Sequence, residues 1–139
     1  EGNLNIVGLL HHRGPDPNVI TPGDGTALIA AAEDGRLEMA TLLLDRGAQV
    51  DLVVPGDDTA LIQASEEGHL EFVRLLVARG ADVNKSVVHI IRERVWSVGN
   101  LDTVASLGER RVVSTPLSEA REEGHVDVVN FLIAAGARE

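Results

Sequence analysis

The chain contains no cysteine, which excludes a disulfide framework and thiolate chemistry and accords with a reducing compartment. It is also poor in aromatic residues, with only Phe72, Trp96 and Phe131. A core with so few rings closes through thin layers of Ala, Leu and Val, because a bulky ring would hold such layers apart. No apolar stretch approaches the ~18–20 residues that a bilayer-crossing helix needs, and no signal peptide is visible. A soluble chain, cytoplasmic and without membrane insertion of its own, is expected. Basic excess is missing as well: the formal net charge is −10, so a nucleic-acid backbone, which requires a basic footprint, is disfavoured as a ligand.

Catalytic patterns are absent in the same way. There is no HExxH zinc motif, and Gly23-Asp24-Gly25 lacks the third glycine of a dinucleotide loop. The adjacent His11 and His12 point different ways on a helix, so they do not share a metal. The serines have no base placed beside them by the sequence, and Glu66-Glu67 are surface neighbours without a pocket to raise either pKa. No enzymatic activity, cofactor or metal is expected.

What the chain does have is a repeat. Gly2, Gly35 and Gly68 lie 33 residues apart and open the runs GNLNIVGLL, GRLEMATLLL and GHLEFVRLLV, each closed by Gly14, Gly47 or Gly80. A further copy, GHVDVVNFLI, starts 56 residues after the third and runs to Gly136, so about 23 residues are inserted before it. A period of this size marks a solenoid, whose units bury their apolar faces only by stacking on neighbours. The columns Leu4/Leu37/Leu70/Val126, Val7/Ala40/Val73/Val129 and Leu10/Leu43/Leu76/Leu132 form a helical stripe, widened by Ile6, Met39, Phe72 and Val128. Thr26, Thr59 and Thr115 stand ahead of a shorter apolar stretch and suit N-caps, and Pro116 suits a first helical position. Gly35, Gly68 and Gly124 suit the left-handed residue that ends it.

At these residues the chain resembles the ankyrin repeat family. Gly68-His69-Leu70-Glu71 and Gly80-Ala81-Asp82-Val83-Asn84 match the family pattern intact, with Gly47-Ala48-Gln49-Val50-Asp51 and Gly14-Pro15-Asp16-Pro17-Asn18 as variants. The histidine that the family places after Thr-Pro-Leu is Ile29, Ile62 or Ser118 here, so apolar contact is expected to replace its hydrogen bonds between units. The implied fold is an all-α repeat solenoid of helix-turn-helix units with β-hairpin turns, about four units in a single domain. Residues 1–18 would be a partial repeat, 19–51 and 52–86 full repeats, 87–109 the insertion and 110–139 the last repeat. Opening at a second helix, with Leu4, Ile6, Val7 and Leu9 uncovered, the chain reads as a piece of a longer protein.

For the insertion two structures are open. Its β-branched content favours a lengthened hairpin finger, whereas the stripe Val88, Ile91, Val95, Val98 and the echo of GNLNIVGLL in GNLDTVASL favour a degenerate repeat. Arg92, Arg94, Arg110 and Arg111 make this the main basic cluster, and Trp96 is a candidate partner anchor or a locally packed ring.

Acidic residues recur at equivalent places: Glu33-Asp34, Glu66-Glu67 and Glu122-Glu123 at the ends of the first helices, and Asp24, Asp57 and Asp58 at the Pro-Gly turns. Carboxylates at a helix C-terminus oppose its dipole by roughly 0.3–1 kcal/mol each, and like charges in stacked units repel. One account is solubility; the other is a strip that binds a basic segment of a partner protein. The resemblance implies a non-catalytic protein-interaction module that binds through its turn tips and the inner, concave side of its first helices. Asp24, Glu33, Asp34, Asp57, Asp58, Glu66, Glu67, Trp96, Glu122 and Glu123 are then the candidate contact residues. The recurrent Pro-Gly-Asp before Thr-Ala-Leu-Ile is similar to ankyrin tails of bacterial membrane metallopeptidases of the antibiotic-sensor type. That likeness implies the alternative of a regulatory or sensing tail of a larger membrane-associated enzyme.

Overall fold

The computed structural model describes residues 16–22, 25–95 and 106–138. Six helices fall within them as three pairs: α1 (Ala27–Glu33) with α2 (Leu37–Asp45), α3 (Ala60–Glu66) with α4 (Leu70–Ala78), and α5 (Pro116–Glu122) with α6 (Val126–Ala134). In each pair the first helix has seven residues and the second nine. Helices this short are unstable alone in water, so burial against neighbours must hold them. Their starts are set locally. The hydroxyls of Thr26, Thr59 and Thr115 accept from the amides of Ile29, Ile62 and Ser118 at 3.3, 3.2 and 3.0 Å. Pro116 opens α5, and the Oγ of Ser118 accepts in return from the Thr115 amide, completing a capping box. The positions that lack the family histidine are thereby explained: Ile29 and Ile62 are buried in the core, and Ser118 is engaged within its own turn.

First helices stack on first helices, α1 on α3 on α5, and second on second, α2 on α4 on α6. Leu43, Leu76 and Leu132 are fully buried in one continuous cluster with Ala40, Phe72, Val73 and Val128. The column headed by Leu37 behaves differently, since Leu37 and Val126 are exposed. Positions spaced by three drift around a helix, so residues 37 and 43 lie roughly 120° apart and cannot both face the spine. Phe72 and Val128, two places further along than the column head, fill the layer instead.

A polar seam accompanies the apolar one. Asn18, Asp51 and Asn84 each reach into the loop of the next helix pair: Asn18 accepts from the Gln49 amide at 2.7 Å, Asp51 from the Asp82 amide at 3.1 Å and Asn84 from the Arg138 amide at 2.8 Å. The first two links span 31 residues and the third 54, so the stacking register passes over the intervening segment unchanged.

That segment is extended where it is described. Strands β1 (Val87–Val95) and β2 (Ser106–Ser114) pair antiparallel from Val87↔Ser114 to Val95↔Ser106. The helical stripe drawn through Val88, Ile91 and Val95 is therefore not formed, because a run of β-branched side chains fits a pleated ribbon better than a helix. The expected division between residues 109 and 110 falls inside β2. The base of the ribbon is held by buried Val87 and Ser114 and by His89, whose Nε2 lies 2.9 Å from Asp58 Oδ1.

Candidate partner-binding surface

The acidic positions gather at the ends of the first helices because each helix stops there for a structural reason. Glu33, Glu66 and Glu122 are the last residues of α1, α3 and α5, and Asp34, Glu67 and Glu123 are their C-caps. Terminal carbonyls at such an end need a donor. His69 Nε2 lies 3.1 Å from the Glu33 carbonyl and His125 Nε2 2.8 Å from the Glu66 carbonyl. A carbonyl only accepts, so the proton sits on Nε2 in both. A histidine from the following unit thus ties down the acidic ends of α1 and α3.

Around Glu66 these acids converge. Contrary to the expectation that nothing would raise it, burial, and then the negative charges of Glu119, Glu67, Asp58 and Glu123, push its carboxyl above the usual carboxylate range. Both α3 and α5 contribute to this cluster. Glu119 was not among the expected residues, although it lies one turn before Glu123 on the same face of α5, a spacing that points to it. At the other end of the array Asp34 is engaged by Arg36 at 2.9 Å. Glu122 and Glu123 are exposed.

The turn residues are placed differently. A Cβ on Gly25 would come within 2.6 Å of Asp57 Oδ2, so the Asp57 carboxylate lies hard against the neighbouring turn. Asp58 faces His89. Between the two turns runs an open groove of about 320 Å³ bordered by Ile20, Pro22, Val54 and Pro55. Asp24 and Trp96, two of the expected contact residues, lie outside the described residues. On the ribbon, Arg92 pairs with Glu109 at 3.3 Å, while Arg110 and Arg111 are exposed.

A family model for ankyrin repeats (3 copies) matches residues 1–87, and a model for the ankyrin repeat matches residues 114–138. The chain belongs to the ankyrin repeat family. The stretch between the two matches, residues 88–113, coincides with the paired strands and the segment linking them. No curated protein matches the chain. Ankyrin repeats are generally protein–protein interaction modules and are typically non-catalytic, and the layered helix pairs found here accord with that use. Among the described residues no helix is long and apolar enough to cross a membrane.

Proposed function

We propose that this ankyrin domain, about four units with an insertion before the last, is a non-catalytic module that binds a basic segment of a partner protein. The contact surface is the acidic row formed by the ends of α1, α3 and α5, flanked by the turns carrying Asp57 and Asp58. The observation that carries this reading is Glu66. Burial, and then the negative charges of four carboxylates from two stacked units, raise its pKa, so the like charge gathered here works against folding of the free domain. A cationic segment laid across α3 and α5 relieves that repulsion, so its binding is favoured beyond the pairwise contacts. The Asp34–Arg36 pair makes the α1 end of the row the weaker part.

The test is titration of a fluorescent Lys/Arg-rich peptide into the intact chain at several ionic strengths. Affinity should fall as salt rises, and Glu66→Lys with Glu67→Lys should weaken it about tenfold, since two exposed ion pairs of roughly 0.2–1 kcal/mol are replaced by repulsions. Binding indifferent to both salt and the double substitution would exclude the acidic row as the docking face.

A further inference from the structure

We infer that the β1/β2 ribbon carries a second docking edge, along β2, that accepts an extended acidic and aliphatic segment of a partner protein as a third strand. Acceptance of a strand is a consequence of the ribbon's incompleteness. A two-stranded ribbon is marginal in water and normally needs a third strand or a packed face, and an unpaired strand edge is a template for another chain. Among the described residues, no backbone hydrogen bond joins either strand to another element. The face turned to the array is occupied near its base by Val87, His89 and Ser114. The opposite face leaves Val88, Ile90 and Val113 each more than half exposed, with Val88 directly across from Val113 and Ile90 across from Arg111.

Charge selects the occupant and the edge. Successive strand residues point to opposite faces, so Arg110 and Arg111 present one guanidinium on each side of β2. Neither has a partner among the described residues, whereas Arg92 on β1 is engaged by Glu109. A strand added beside β2 places two consecutive acidic residues opposite Arg110 and Arg111, and aliphatic residues opposite Val112 and Val113. Backbone bonds supply affinity in this mode and alternate side chains supply specificity. The same ribbon repels the basic segment proposed for the helix ends, so the two surfaces select partners of opposite charge.

The inference builds on the reading of the domain as an interaction module but uses a different surface, and one experiment separates them. The peptide Ser-Val-Ile-Glu-Glu-Val-Ile-Ser is titrated into the intact ¹⁵N-labelled chain, alongside a version with Lys for Glu and one N-methylated at alternate amides. The acidic peptide should bind saturably, shift the amides of residues 108–114, and slow their hydrogen exchange. The lysine and N-methylated peptides should not. Arg110→Glu with Arg111→Glu should weaken binding about tenfold, Arg110→Lys with Arg111→Lys should retain most of it, and Glu66→Lys with Glu67→Lys should leave it unchanged. No binding, equal binding of the N-methylated peptide, or shifts confined to the helix ends would overturn the proposal. Loss of basic-peptide binding alone would leave it standing and would count against the acidic row instead.

Discussion

The contact between Gly68 and His125 offers a sharp measure of how strongly the last described helix pair is coupled to the one before it. Gly68 has a φ of +73°, and a Cβ placed there would meet the His125 ring at 2.5–2.8 Å. Gly80 ends the following helix at a similar φ of +93° with nothing within 4 Å of its Cβ position. Gly80→Ala should therefore cost only the left-handed backbone penalty, about 1–2 kcal/mol. Gly68→Ala bears the same penalty and also displaces the imidazole, losing its hydrogen bond to the Glu66 carbonyl, worth about 1 kcal/mol, along with the packing of the ring on the glycine. A total of about 2–4 kcal/mol follows. In a His125→Ala background the excess should vanish, and Gly68→Ala should cost no more than Gly80→Ala. Urea unfolding followed by circular dichroism, run as a double-mutant cycle, measures the difference directly. Equal costs for the two glycines in the parent chain, or an excess that survives removal of the imidazole, would refute the idea that the histidine column locks successive units together.

Glu66→Gln should stabilise the domain at neutral pH, because it removes a charge that burial and four carboxylates disfavour. The sign follows from linkage: a raised folded-state pKa contributes stability that is present below the ordinary carboxylate range and lost as pH rises through the folded value. The advantage of Gln should thus shrink as pH falls toward about 4, as thermal melts across the acid range would register. Asn84→Ala should cost about 1–2 kcal/mol, since it deletes the bonds to the Gly136 carbonyl and the Arg138 amide. Hydrogen exchange should show the loss concentrated in α5 and α6, and uniform loosening of the array would contradict the seam's role.

Much of the architecture was legible because a repeat prints its packing rule several times. The Thr caps, the helix-ending glycines and the leucine spine appear as columns, and the structure places Leu43, Leu76 and Leu132 in one core. The column of Leu37, Leu70 and Val126 misled at Leu37 and Val126, which are exposed while Leu70 packs on the core, because spacing alone does not say where an apolar face ends. The intervening segment was ambiguous because Val and Ile at a three-to-four spacing satisfy a helical stripe, while their β-branching favours a strand. The pairing of Val87 through Val95 with Ser106 through Ser114, which joins residues far apart in sequence, decides it for those residues, while Val98 and most of the GNLDTVASL echo lie outside the described residues.

For the candidate surface the balance differs. Glu33-Asp34, Glu66-Glu67 and Glu122-Glu123 could be found from their recurrence, since helix ends come at a fixed place in each unit. That Glu66 is the point of convergence, with Glu119 and Asp58 beside it, depends on how α3 and α5 lie together and on where the ribbon sets its base. By itself the sequence determined the unit, its caps, its buried stripe and the charge at its edges, all properties of neighbours along the chain or of a period that copies them. Tertiary structure alone decided which carboxylates crowd one another, which carbonyls the histidines reach and which carboxylate Arg92 meets across the ribbon. Electrostatic and hydrogen-bond energies depend on distances across stacked units, and no spacing within a single unit encodes those distances.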